Sequence, residues 1–310
     1  MDVIIDKGCG LDVHKGTVAA CVMGSGIKKE IRTFRTMTGD LCKLKEWLSE
    51  KGITHVAMES TGPYWKPVFN ILEDSFEVIL VNARHIKNVP GRKTDVKDSE
   101  WICKLLRSGL LAASFVPPQA IRELRDLTRY RRKLTQAISS EKNRVQKVLE
   151  DANVKLSSVV SDTFGVSGSR MIEAIMVGDF DPESVSNLAV GKLKSKKDDL
   201  KKALEGHFRD HHRFMIQASL DHIESLEKII AGLDQEINLK LKDYHREFEL
   251  LQTIPGVKEQ GAASIIAELG ADMDAFPSEG HLSSWAGMSP GNNESAGKKK
   301  VERRPTAIRI

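Results

Sequence analysis

Residues 7–24, KGCGLDVHKGTVAACVMG, decide the fold class. They read as two short strands, 7–13 and 17–24, joined by the tight turn His14-Lys15-Gly16. Working outward, residues 28–36 (KKEIRTFRT) alternate charged and apolar side chains, the pattern of a third, half-exposed strand. Thr38-Gly39-Asp40 then opens a helix whose apolar positions Leu41, Leu44, Trp47 and Leu48 keep helical spacing. A fourth strand, HVAMES (55–60), leads into a helix after Pro63. A fifth, EVILVN (77–82), precedes a helix beginning near Asp95. A three-strand meander followed by alternating helices and strands is an α/β layer arrangement with a mixed sheet.

The remainder is helical. From Pro117-Pro118 to about Asn153 the chain has no further Gly or Pro, and Leu124, Leu127, Leu134, Ile138, Val145 and Leu149 recur along one long helix. Residues 214–247 repeat the character, with Leu220, Ile223, Leu226, Ile230, Leu233, Ile237 and Leu241 spaced by three and four. Such helices need a partner to be stable, which predicts an antiparallel pair or coiled-coil stalk. The polar, Lys-rich piece between them (154–213) is expected to hold only short helices. LQTIPGVKEQGAASIIAELG (251–270) places a Pro-Gly turn before a small-residue helix. That pattern fits a helix-hairpin-helix, whose turn can offer backbone N–H groups to a phosphate, and it fits a plain packing unit as well. Past it lies a Gly-, Ser- and Asn-rich loop (283–300) ending in three lysines. The expected boundaries are 1–115 for the α/β domain, 116–249 for the helical segment and 250–310 for a small, mostly α C-terminal domain.

With 40% apolar and 29% charged residues, the 310-residue chain has the balance of a globular protein. It contains no run of about 18 apolar residues, and its first residues carry an early acid and no cleavable apolar core, so a cytoplasmic protein is expected. Cys9, Cys21, Cys42 and Cys103 form no C-x-x-C pair and read as reduced, packed side chains. The net charge of +4 is unevenly spread. Residues 122–147 hold nine Lys/Arg against three acids, and 298–310 hold six against one. Clustered positive charge points to a nucleic-acid partner, with Arg129, Arg131, Arg132 and Lys133 on the long helix and Lys298, Lys299 and Lys300 in the tail as the candidate contacts.

Four acids fall on the elements where an α/β sheet gathers its ligands. Asp12 interrupts an apolar strand, and Glu59 ends another just before Ser60-Thr61-Gly62-Pro63. Asp95 and Asp98, three apart at a helix start, share one face. Converging carboxylates repel one another unless a divalent cation sits among them. Hard oxygen donors favour Mg²⁺ (or Mn²⁺), and two-metal sites suit in-line phosphoryl transfer. Individually the same acids also serve as a first-turn helix pair or a brace for the His14 turn.

GLDVHK, MESTGPYW and GRKTDVKDSEW, followed by the Pro-Gly-Val turn and WAGMSPGNNESAGK, resemble the DEDD insertion-sequence transposases related to the Piv/MooV invertases. The resemblance runs through nearly the whole chain in order. It implies an RNase H-like (RuvC-like) N-terminal domain, a coiled-coil segment and a C-terminal transposase domain. It also implies DNA as substrate and a structured non-coding RNA that selects donor and target. A homo-oligomer of two or more chains is expected on separate grounds, because 214–247 carries more apolar surface than a single partner helix can cover. Asp12, Glu59, Asp95 and Asp98 then take the metal-site and catalytic roles, and Ser295 takes that of nucleophile. Two departures stand out. The motif reads Ser295-Ala296-Gly297 rather than Ser-Gly, and the tail KKKVERRPTAIRI stops where the family continues through further helices, the pattern of a shortened copy.

Other readings compete on the residues alone. A nuclease or junction resolvase would use the same acids with water as nucleophile. A sugar-kinase or actin-like phosphotransferase would share the hairpin LDVHKGTVAACV but needs further phosphate and adenosine loops, and the chain has no counterpart of them. A decayed transposase would bind nucleic acid without chemistry.

Overall fold

The computed structural model describes residues 4–60, 62–83, 86, 98–178 and 181–288, and the backbone of 294–295 and 298–299. The chain divides into two compact units, Met1–Val116 and Pro117–Ile310.

In the first unit five strands form one sheet: β1 (Gly8–Val13), β2 (Thr17–Gly24), β3 (Ile27–Arg35), β4 (His55–Glu59) and β5 (Glu77–Val81), in the order β3-β2-β1-β4-β5. The first three are the antiparallel meander read from the sequence, and β1, β4 and β5 run parallel. Helices α1 (Thr38–Glu50) and α2 (Trp65–Leu72) cover one face. There Cys9, Leu11, Val56 and Met58 from the strands meet Leu41, Leu44, Trp47, Val68 and Leu72. Helix α3, Asp98–Arg107 in its described part, covers the other face, where Ala57 and Val81 meet Trp101, Ile102, Leu105 and Leu106. The period of two along each strand builds these two cores from alternate residues. Cys9, Cys21 and Cys103 are buried thiols as expected, whereas Cys42 is exposed on α1. The arrangement is consistent with an RNase H-like domain.

The second unit is built on α4 (Gln119–Asp151), which starts directly after Pro118, where a fixed φ suits a helix start. The following helices are α5 (Leu156–Val159), α6 (Val166–Met176), α7 (Pro182–Ser186), α8 (Lys197–Leu204), α9 (Asp210–Leu241), α10 (His245–Gln252), α11 (Glu259–Leu269) and α12 (Glu279–Trp285). Helices α4 and α9 pack antiparallel, as the polar rungs Glu123–Lys240, Arg131–Asp234, Glu141–His222 and Asp151–His212 record.

Two expectations change in this unit. The second long helix starts four residues before 214, because Arg209 N–H donates to His212 Nδ1 at 3.1 Å, while His212 Nε2 meets Asp151. It also does not run unbroken to 247. A 3₁₀ turn at Lys242–Tyr244 redirects the chain so that Tyr244, Phe248 and Leu251 reach Ile121, Leu124, Ile237 and Leu241. The piece between the long helices keeps its short helices but is more than a polar spacer. Leu156, Met171, Ile172, Ile175, Val185, Leu200 and Leu204 close a second hydrophobic core on Val145, Leu149 and Ile216. Its lysines lie mainly on the outside of α8 and the preceding 3₁₀ turn, which is why composition hid the core.

Candidate active site

The site is set by what β1 leaves out. Gly8, Gly10 and Asp12 share the face of β1 opposite Cys9 and Leu11. A Cβ on Gly10 would lie 2.3 Å from both the Cys103 nitrogen and the Ser99 oxygen, and one on Gly8 would meet Leu106 and Arg107 side chains at 3.1 and 3.2 Å. The backbone of α3 therefore rests directly on β1 and runs antiparallel to it. Two residues beyond Gly10, the strand reaches the N-terminal end of the described helix, where Asp98 stands. Parallel pairing brings in the third acid: Leu11 lies opposite Met58, so Asp12 and Glu59 are the next residues on adjacent strands and face the same side.

The electrostatics agree with that placement. The half-buried Asp12 carboxyl is raised above the ordinary carboxylate range by burial and by the negative charges of Asp98 and Glu59, while His14 opposes the shift. His14 Nε2 stands 3.3 Å from Asp12 Oδ2 with its ring largely exposed. The brace and the acidic cluster are thus both present, and His14 sits beside the cluster. Sequence reasoning treated His14 only as a turn residue. Its position two residues after the strand aspartate was the signal the sequence offered; in the structure its N–H donates to the Thr17 carbonyl at 2.9 Å. Among the described residues, no three His, Cys, Asp or Glu side chains close round a single point tightly enough to hold an ion. Asp95 lies outside the described residues. The donor set present, carboxylate oxygens in one another's field, suits Mg²⁺ or Mn²⁺.

The remaining candidates separate by what they touch. Arg129 grips Glu268 with two hydrogen bonds of 2.6 and 2.7 Å, and Arg131 grips Asp234. Arg125 donates to the Ala267 and Glu268 carbonyls, capping the end of α11. Much of the positive charge of α4 therefore holds the second unit together. Arg132 and Lys133 have no ion-pair partner among the described residues. In the tail, the backbone of Glu294–Ser295 pairs antiparallel with that of Lys298–Lys299, placing Ser295 opposite Lys298. Lys300 lies outside the described residues.

A mixed sheet of this order, with acids at the C-terminal ends of β1 and β4, is consistent with the RNase H-like class. Comparison with known proteins narrows this. Residues 9–154 match the transposase model for the DEDD domain of IS110 elements, and residues 248–308 match the model described as "Transposase IS116/IS110/IS902 family". No curated protein matches the chain. The chain belongs to the IS110 family of transposases, enzymes of DNA transposition. No helix among the described residues is long and apolar enough to cross a membrane.

Proposed function

We propose that this transposase cleaves and joins DNA strands in a metal-dependent reaction, with Asp12, Glu59, Asp95 and Asp98 holding Mg²⁺ or Mn²⁺ and Ser295 acting as nucleophile. The observation that supports the metal site is the β1–β4 register that sets Asp12 beside Glu59, with the close approach of α3 at Gly10 bringing Asp98 near; the Asp12 carboxyl is raised by burial first and by those two charges as well. A bound divalent ion would relieve that repulsion and would polarise the scissile phosphate. The chain's own residues fix the cluster: Gly10 admits α3, the β1–β4 register aligns Glu59 with Asp12, and His14 orients the Asp12 carboxylate.

In the proposed step the Ser295 oxygen forms a bond to phosphorus as the bond to the departing sugar oxygen breaks. The hydroxyl proton leaves to solvent and the departing oxygen takes one up. Cleavage thus leaves DNA joined to the protein through a phosphodiester, which a strand hydroxyl can later attack.

The nucleic-acid role passes chiefly to Arg132 and Lys133 on α4 and to Lys298, Lys299 and Lys300. The boundaries 1–115, 116–249 and 250–310 serve as a RuvC-like domain, a coiled-coil segment and a C-terminal transposase domain. A structured RNA guide rests on the family resemblance. Assembly into a dimer or higher oligomer is supported by Phe214, Ile229 and Leu239, which leave α9 72%, 44% and 55% exposed.

The test is covalent capture on DNA carrying the element's ends, in Mg²⁺. Wild-type protein is expected to form a protein–DNA adduct, and both Ser295→Ala and Asp12→Ala to abolish it while binding persists. Strand cleavage that survives Ser295→Ala without an adduct would assign the attack to water and overturn the serine role.

A further inference from the structure

We infer that the groove between α4 and α11 is a docking site for the phosphate backbone of duplex DNA, with Arg132 as its cation. The groove has a volume of about 420 Å³ and lies wholly within the second unit. One wall is a single face of α4 bearing Arg132, Thr135 and Gln136, and the other a single face of α11 bearing Gln260, Gly261 and Ser264. Guanidinium, hydroxyl and carboxamide groups are the side chains that hydrogen-bond phosphate and sugar oxygens without reading sequence.

The setting of Arg132 gives it that role. Its neighbours Arg129 and Arg131 pair with Glu268 and Asp234, which fixes the groove walls, and the paired Arg131 lines the groove beside Arg132. Arg132 faces the groove with no carboxylate partner among the described residues. The helix field adds to it. Arg125 and Arg129 hold the C-terminal end of α11, so the antiparallel crossing turns the N-terminal end of α11 toward Arg132. That end follows the Pro255-Gly256 turn, with Gly256 at φ +89°, and its N-cap Lys258 supplies no capping side chain. A helix start without a cap presents partial positive charge to whatever occupies the groove. Glu259 belongs to the same turn but does not line the groove. Gly261 keeps the floor open, since a Cβ there would meet only Val257 Cγ1 at 3.5 Å. The Pro-Gly turn, ambiguous as sequence, thereby gains a definite role.

This inference rests on the protein being a transposase that binds DNA, and the test separates the two. Fluorescence anisotropy would follow binding of the full chain to a DNA duplex and, separately, to an RNA hairpin, in EDTA and across a salt series. Arg132→Ala and Gly261→Glu are each expected to weaken duplex binding roughly threefold to tenfold and to lower the log–log salt slope by about 0.9 for each phosphate that is no longer neutralised. Lys228→Ala removes one charge from the exposed Lys228–Glu224 pair of α9 and should leave both quantities unchanged. Circular dichroism and melting temperature confirm that the variants fold. Unchanged duplex affinity and slope in both groove variants would overturn the inference, as would an effect confined to the RNA hairpin. Failure of the wild-type chain to bind any duplex would instead count against the functional reading itself.

Discussion

Two helices in this molecule rest on their neighbours by different means. Helix α3 rests on β1 because Gly8 and Gly10 remove the side chains that would hold it off. Helix α11 rests on α4 through Ala263, Ile266 and Ala267, and is then clamped by Arg125 and Arg129 on Glu268. The first junction ends in acids that repel: Asp12 is pushed up partly by Asp98 and Glu59. The second ends in opposite charges that attract, two arginines on one glutamate. Like charges collected at the end of a close approach work against stability, which is the ground for the proposed metal site, whereas opposite charges in contact hold a joint together.

The largest effect should come from filling the first junction. Gly10→Ala would drive a Cβ into the backbone of α3 and should destabilise the first unit by about 3 kcal/mol or more. The same change at Gly261, where the nearest atom is 3.5 Å away, should be neutral or stabilise by about 0.5–1 kcal/mol through helix propensity. Urea unfolding of the two variants measures both, and equal losses would erase the distinction between the two junctions.

Breaking the clamp should cost less. Glu268 is 5% exposed and sits between two arginines. Arg129→Met leaves Arg125 in place, so a loss of about 1–3 kcal/mol is expected. Arg132→Met, with no carboxylate to abandon, should lie within about 0.5 kcal/mol of wild type. Should the two prove equal, the separation of structural from ligand-facing arginines on α4 would fail.

These contrasts explain what could be read in advance. The sheet, both of its helical faces and the long helical pair follow from alternation and from spacings of three and four, which report burial directly. The acids Asp12 and Glu59 were visible because charge interrupts strands that are otherwise apolar. The ion pairs of Arg129 and Arg131 were not, since a basic run looks the same whether or not its side chains pair with Glu268 and Asp234, residues more than a hundred positions away. The core of α5–α8 was hidden for a related reason. Its apolar residues are spread over short helices, and none is long enough to show a clear period among the surrounding lysines.

The smallest effect concerns Asp12 itself. Its carboxyl titrates above the ordinary value in the folded, metal-free protein, so the folded state binds the proton more tightly than the unfolded chain does. Stability should therefore fall as pH rises from the ordinary carboxylate value through the raised one. Asp12→Asn should remove that slope and raise stability at neutral pH by no more than about 1 kcal/mol, because the group is partly solvated. Carboxyls held low by ion pairs, such as Glu30 and Glu100, slope the other way in both proteins, so thermal melts in EDTA across the acid range read the difference between wild type and Asp12→Asn. A wild type that gains stability relative to Asp12→Asn over that window would contradict the sign.

The central proposal is that Asp12, Glu59 and Asp98 bind a divalent cation. The most direct measurement is a Mg²⁺ and Mn²⁺ titration of the melting temperature of the full chain, wild type against Asp12→Asn, Glu59→Gln and Asp98→Asn. A cation bound only by the folded protein stabilises it by RT ln(1 + [M]/Kd), about 2.7 kcal/mol at a hundredfold excess over Kd. The account predicts a saturable rise for wild type that each substitution weakens or abolishes, so that Asp12→Asn, the more stable protein in EDTA, becomes the less stable one in metal. An identical rise in wild type and all three variants would place the cation elsewhere and contradict the account.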